Sequence, residues 1–299
     1  MKLSNTLKGY LLAIISVLSV SNVYIFSKAA LKEVSIPQFG LYWFSFGLFW
    51  ILVFAYYRKS FHVFKKIEKR HYFIMIWLGL FDVLSTYFFF KAIHTIPNPS
   101  VVSFIGNISP ALVIILSIFF LKERFNSLEV IGIFLALVGA FVISYKGNVG
   151  VEDMFINGAQ FVLFSSMISS TNAIIIKKNI QKIPPIVLTV NRTVFLLLFS
   201  LGTMLLLDKS FIISNSALEN IFIGSVLGPF LTVITGFLAL QYIPLSRKAI
   251  IGSTKGLFVL LGSYIYFGNF PRNMAIIGGI VTILGVLLIT FGKMKLQKK

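Results

Sequence analysis

Apolar residues run along this chain in blocks of about twenty, and short polar segments separate the blocks. Ten such blocks can be placed, at approximately Leu7–Ala30, Phe39–Tyr57, Tyr72–Ala92, Val101–Leu121, Leu128–Tyr145, Phe155–Ile176, Ile186–Leu207, Ile221–Leu240, Ser246–Phe267 and Met274–Gly292. At ~1.5 Å rise per residue, each is long enough as a helix to cross a hydrocarbon core of ~30 Å. The pattern predicts an all-α membrane protein of ten transmembrane helices. The first block is too long for a cleaved signal peptide and lacks an A-x-A site, so it is expected to be a span.

The blocks also repeat. The stretch His94–Tyr145 has a degraded copy at Gln241–Phe291. In both, an Ile-Pro dipeptide (Ile96-Pro97, Ile243-Pro244) precedes an apolar run, a turn and a second run. The second run carries two glycines seven apart, Gly132 and Gly139 in one copy, Gly278 and Gly285 in the other. At an offset of 150, Ser16, Ser19, Asn22 and Lys28 fall on Ser166, Ser169, Asn172 and Lys178. The duplication therefore divides the chain into residues 1–147 and 148–299, with a joint at Lys146–Met154. An odd number of spans per half makes the two five-helix repeats inverted.

Composition agrees and adds an orientation. The chain is 57% hydrophobic and 12% charged, too few charges to cover a water-soluble surface. The net charge of +18 does not point to nucleic acid, because the basic residues sit in short connections rather than on a basic face. Alternate connections hold nineteen and six of the 27 Lys and Arg, with Arg192 and Lys255 inside spans. Both termini are accordingly expected in the cytoplasm. The absence of cysteine excludes disulfides and thiolate metal sites.

The sequence resembles the drug/metabolite transporter superfamily and, within it, the ten-helix EamA-like permeases. The resemblance rests on Ser21-Asn22 to Lys28-Ala29, Lys91-Ala92-Ile93-His94 into Pro97, Ser109-Pro110, Glu123-Arg124, the Gly132–Gly139 spacing and Asn191-Arg192. The second half departs from the pattern: Leu257 stands where Pro110 is expected and Phe270 where Glu123 is expected, which puts a proline hinge in the ninth helix in doubt. The resemblance implies a secondary transporter working by alternating access, with helices 1, 3, 4, 6, 8 and 9 lining its cavity. It leaves the cargo open.

The polar residues inside spans supply candidates for a site. Asp82 is the one carboxylate of nine placed deep in a span, and a charge at that depth needs a partner, water or protonation. Lys255 reaches a similar depth from the ninth block and is the expected ion-pair partner. Asn22, Asn172 and Ser166 are candidates to line a symmetric cavity, with Asn107 and Tyr87 as further substrate contacts. Tyr24, Tyr42 and Trp43 could extend an aromatic wall. Pro110 is a candidate gating bend, and Glu123 a latch at a helix end. Arg192, six residues into the seventh block, is expected to snorkel to the headgroups in a structural role, and Lys28, Lys91 and His94 to anchor span ends.

No nucleotide-binding G-x-x-x-x-G-K-[ST] loop, H-E-x-x-H zinc motif or embedded carboxylate pair is present, so the expectation is a protein that is not an enzyme and uses no cofactor or metal. Embedded cations outnumber the embedded acid. This favours a zwitterionic or anionic small molecule, with export of amino acids or related metabolites across a bacterial inner membrane as the first expectation. Proton coupling through Asp82 is expected with it. Import of S-adenosylmethionine, a nucleoside or a quaternary amine is the alternative, and a non-transporting subunit or flippase-like partner is the alternative of another class. Expected partners are the substrate, membrane lipid and protons, with the chain as a monomer or homodimer and no nucleic acid.

Overall fold

The computed structural model describes residues 4–97, 99–106, 108–123, 125–144, 157–268 and 273–296. Asn107, Arg124 and the joint at 146–154 lie outside the described residues. Among the described residues, every apolar block is helical. The first three form α1 (Asn5–Ala30), α2 (Ile36–Tyr57) and α3 (Lys69–Thr95). The fourth is divided into α4 (Pro99–Ile105) and α5 (Ile108–Leu121), and the fifth is α6 (Ser127–Ser144). The second half begins with α7 (Ala159–Asn179) and α8 (Pro185–Leu206). Its eighth block is α9 (Asn215–Ser225), a π-helical stretch at Val226–Thr232, and α10 (Val233–Tyr242). Its ninth is α11 (Leu245–Ser253) and α12 (Lys255–Phe267), and its tenth is α13 (Asn273–Leu296). Among the described residues, seven helical spans are long and apolar enough to cross a membrane, and shorter apolar helices represent the fourth, fifth and tenth blocks.

Local chemistry explains the interruptions. Pro110 lacks an amide hydrogen and its ring crowds the carbonyl four residues back, which is that of Gly106. The helix turns there, with the Gly106 N–H bonded to Val102 O at 2.9 Å, and resumes at Ile108. Pro229 sits inside the π stretch, where the helix widens around the missing donor. The ninth block breaks at Thr254 with no proline. There the hydroxyls of Ser253 and Thr254 donate at 2.7 Å to the carbonyls of Ile250 and Ile251, three residues back. Side-chain bonds of this kind compete with the helical ladder. The doubted hinge in the ninth helix is therefore replaced by a break built from hydroxyls, and Ile108 and Lys255, which restart the two helices, are 147 residues apart.

Packing separates an apolar outer surface from a mixed interior. Leu7, Leu11, Ile14 and Leu18 are exposed along one stripe of α1, and Phe73, Ile76, Trp77, Leu80 and Leu84 along one of α3. Such stripes on a folded chain are faces for lipid. Inward faces carry small residues where backbones meet. A Cβ at Gly285 would collide with the backbone of Gly132 and Ala136, so one repeat-marking glycine from each copy sits at the close contact between α6 and α13.

The repeats share corresponding cross-helix bonds. The Lys28 ammonium donates to the carbonyls of Ile93 (2.8 Å), His94 (3.3 Å) and Ile96 (2.8 Å) at the end of α3. Lys177 donates to those of Leu240 (2.6 Å) and Ile243 (2.9 Å) at the end of α10. Each lysine thus caps the helix that precedes an Ile-Pro dipeptide, satisfying carbonyls that have no intrahelical donor. Lys28 is a buried staple rather than the expected interface anchor. Likewise Ser16 donates to Thr232 O and Ser165 to Ser85 O, both at 2.8 Å. These pairs relate α1 to α7 by an offset of 149, so the counterparts of Lys28 and Ser16 are Lys177 and Ser165. The offset of 150 is corrected by one residue. The doublets at 165–166 and 177–178 satisfy either register for Ser16 and Lys28, whereas Ser19 and Asn22 meet a like residue only at 150; the cross-helix bonds decide for 149.

Candidate functional site

Two adjoining cavities occupy the interior, of about 360 and 230 Å³, and they share Val20, Ser169 and Thr232 in their walls. The larger lobe is bounded by Ser16 and Tyr24 of α1, Ser109 and Pro110 of α5, and Lys248 and Lys255 from the broken ninth block. The smaller is bounded by Trp43 and Phe44 of α2, Thr86 and Phe89 of α3, Ser165 of α7 and Arg192 of α8. Helices of blocks 1, 3, 4, 6, 8 and 9 all contribute, and blocks 2 and 7 add to them.

The backbone breaks meet the larger lobe. Pro110 has no N–H for the Gly106 carbonyl, which accepts instead from the Ser109 N–H at 3.1 Å and from Lys255 Nζ at 3.3 Å. The carbonyl of Lys255 in turn accepts from Ser21 at 3.3 Å. Irregular backbone at this depth is tolerated because it faces protein and a polar cavity rather than lipid.

Asp82 does not pair with Lys255. It is buried, at 4% exposure, and its carboxylate forms an ion pair with the Arg192 guanidinium, whose other amino group donates to Thr86 Oγ1 at 2.9 Å. Asn172, buried on α7, lies with its amide nitrogen 3.5 Å from Leu78 O. Two expectations are corrected together: the partner of Asp82 is Arg192, and Arg192 points into the bundle instead of snorkelling. Desolvation is the reason. An embedded carboxylate gains most from a cation it can meet at close range, here one whose planar fork also bonds Thr86, and α8 packs directly on α3. By repeat register, the positions of Arg192 and Asp82 in the other half are held by Phe44 and Pro229, which lie 148 residues before the one and 147 after the other. The ion pair thus joins the two halves, and the repeat-related positions across the pseudo-symmetric seam are both apolar.

The remaining candidates divide. Pro110 lines the larger lobe. Ser166 is buried but lines neither lobe, where Ser165 and Ser169 do. Asn22 folds its amide back onto Leu18 O at 2.9 Å and lies beside α12 near Gly262. Tyr87 packs edge-on against Phe199 of α8, 6.1 Å between centroids, and lines neither lobe. Asn107 lies outside the described residues. Of the aromatic wall, Tyr24 and Trp43 face the lobes, while Tyr42 donates its hydroxyl to Phe211 O at 2.5 Å.

Lys248 is the residue the sequence hid. It counts by position among the charges of a connection, yet it lines the larger lobe with Nζ beside Gly236 and Ser16. Its neighbour Arg247 is likewise inside, ion-paired to buried Glu129. The seventh position before Lys255 on one block was the available signal: two turns of helix return both lysines to one face.

Besides the two ion pairs, carboxylates tie the repeats by hydrogen bonds at two places. Glu123, just past α5, accepts the backbone N–H groups of Leu245 (3.0 Å) and Ser246 (3.3 Å) and the Ser246 hydroxyl, capping α11. Glu33, past α1, accepts from Ser214 and, at 2.8 Å, from Ser216. Gln38 adds bonds to Ser210 O (2.9 Å) and Ile212 O (3.4 Å) beside it. The two hydroxyls hold the Glu33 carboxyl below its ordinary range. Because α1 and the fourth block cross in opposite directions, the two ties lie at opposite ends of the bundle.

Comparison with known proteins places this arrangement. The family model described as "EamA-like transporter family" matches residues 7–145 and again 156–291. A protein of Synechocystis sp. described as an uncharacterized transporter is 23% identical over 252 residues, covering 79% of this chain and 70% of its own length. One crystal structure is similar in fold at a TM-score of 0.75, with 16% identity over 97% of this chain and 99% of its own.

Proposed function

The chain belongs to the EamA-like transporter family, and from that premise we propose that it is a secondary transporter of small anionic or zwitterionic metabolites, amino acids among them. It exports them across a bacterial inner membrane by alternating access, with protons as the coupling ion. One observation carries the substrate charge: Lys248 and Lys255 line the larger lobe, and the described residues in its wall include no carboxylate. Two ammonium groups in a confined space of low dielectric attract an anionic group. Arg192 is already matched by Asp82.

Alternating access gives the two ties a role. Opening the interior toward one end requires release of Glu123 from the start of α11, and opening toward the other requires release of Glu33 from Ser214 and Ser216. The breaks at Gly106 and Thr254 supply the flexure between half-helices, with Pro110 fixing the first of them. A proton delivered to Asp82 would release Arg192 toward the smaller lobe, which is the coupling step.

The test is efflux from proteoliposomes loaded with a labelled amino acid pool, with and without an imposed pH gradient. Efflux above protein-free vesicles that accelerates with the gradient is expected. Efflux insensitive to the gradient refutes proton coupling, and efflux no greater than that of empty vesicles refutes export. Import of S-adenosylmethionine or a quaternary amine fits a cavity lined by lysines poorly, since both cargoes carry positive charge. Undiminished function of Lys248→Met and Lys255→Met variants would instead favour a non-transporting subunit.

A further inference from the structure

The number and spacing of the cavity cations specify more than the sign of the substrate. Three cations border the two lobes: Lys248, Lys255 and Arg192. Arg192 is neutralised by Asp82, and Arg247, which adjoins Lys248, by Glu129. Among the described residues neither Lys248 nor Lys255 forms an ion pair. Two positive charges are thus left to the larger lobe. A monoanion would leave one of them without a counter-charge in a site where desolvated charge is costly, and a zwitterion would bring a further cation with it.

The two ammonium groups are also held apart. Lys255 Nζ is tied to Gly106 O, at the break between α4 and α5, at 3.3 Å. Lys248 Nζ sits against Gly236 of α10 and near Ser16 of α1, within 3.1 Å of where a Cβ on Gly236 would be. The residues are separated by two helical turns, on the order of 10 Å along the axis. A single compact anion at one lysine would leave the other unmatched. A short chain with an acidic group at each end meets both, and the volume of about 360 Å³ accommodates four or five carbons with accompanying water. The walls between supply hydroxyls at Ser109, Ser169 and Thr232 and apolar contacts at Val17, Val20 and Val113, matching a polar-ended molecule with a short apolar middle.

We propose that the larger lobe is a dicarboxylate site, with Lys255 holding one carboxylate and Lys248 the other. The proposal rests on the reading of this cavity as the transport site and narrows the substrate class within it. A bound dicarboxylate also bridges α11, on one side of the Thr254 break, to α12, on the other, so occupancy sets the angle between the half-helices. Glycine at 252, with open space around its Cβ position, leaves room for that movement.

The experiment uses the purified full-length chain and compares succinate, butyrate, alanine and putrescine at equal concentrations by thermal shift, with titration of any that stabilise. Succinate is expected to bind roughly tenfold or more tightly than butyrate or alanine, and putrescine not to bind. Lys255→Gln and Lys248→Gln are each expected to erase the preference for succinate over butyrate while butyrate binding persists. Equal affinities for succinate and butyrate, preferential binding of alanine, or a preference that survives both substitutions overturns the dicarboxylate assignment and leaves the anionic or zwitterionic reading standing. Stabilisation by putrescine alone, or by none of the four, overturns both. The comparison of ligands on the unsubstituted protein does not depend on either variant folding.

Discussion

Replacing Asp82 with leucine removes the acid from a buried ion pair while keeping a side chain of similar size. Breaking such a pair costs about 3–5 kcal/mol when the surviving charge stays buried. The side chains of Asp82 and Arg192 are 6% and 25% exposed respectively, so water at the smaller lobe relieves part of the penalty on the orphaned guanidinium. An expected loss of about 2–3 kcal/mol follows. At roughly 2–4 °C per kcal/mol for a chain of more than 150 residues, the midpoint in detergent falls by about 4–12 °C. The double variant Asp82→Leu with Arg192→Phe reproduces the apolar character that Phe44 and Pro229 give the repeat-related positions. It should recover most of the loss, since apolar replacement of a whole buried pair is often neutral. Transport is not expected to recover, because the coupling group is gone. Differential scanning of wild type, both single variants and the double gives the coupling energy directly. Equal loss in the single and double variants, or no loss in Asp82→Leu, refutes the reasoning. The charge swap gives a second discrimination: Asp82→Arg with Arg192→Asp should retain more stability than Asp82→Lys with Lys255→Asp.

Further outcomes follow from the contacts around the site. Glu123→Ala removes the acceptor for two backbone amides and a hydroxyl at the start of α11, and should cost about 1–2 kcal/mol, read as faster hydrogen exchange at Leu245 and Ser246. A Cβ at Gly224 would collide with the Trp43 ring, which also covers Gly228; Gly224→Ala is therefore expected to destabilise by about 1–3 kcal/mol, and Trp43→Leu in the same chain to relieve it in a melting experiment. The Glu33 carboxyl is depressed from its ordinary value of 4.5, first by Ser214 and then by Ser216. The folded form therefore binds its proton less readily than the unfolded form. The tie contributes fully above pH 4.5 and is lost as pH falls through the lower folded value. In a Ser214→Ala, Ser216→Ala variant that acid-side difference should shrink, measured as the pH dependence of the melting midpoint.

Some of this was legible in the sequence because it is local. Ten helical blocks follow from apolar run length, and the duplicated Ile-Pro and glycine markers announce two repeats before any contact is known. The break near Pro110 follows from the chemistry of one residue. Asp82 and Lys255 stood out because charge inside an apolar run is costly wherever the run is placed. Lys248 did not, because a lysine four residues past Pro244 reads as part of a connection until the entry of α11 into the bundle is known.

Tertiary structure alone decided the pairings. Asp82 and Lys255 share a depth, but depth does not determine which helices touch; α8 against α3 does, and it brings Arg192 instead. The register between repeats was misread by one residue because Ser16 and Lys28 fall on doublets that satisfy both offsets while Ser19 and Asn22 match at 150 alone, and the caps made by Lys28 and Lys177 on helices 65 and 63 residues away decided it. The break at Thr254 has no proline to announce it, because hydroxyl-to-carbonyl bonds depend on rotamers that packing selects. Hydropathy is a sum over neighbours in the chain and settles where helices lie. Ion pairs, caps and cavities are made between residues far apart in the chain, and their energies enter only once the helices are packed.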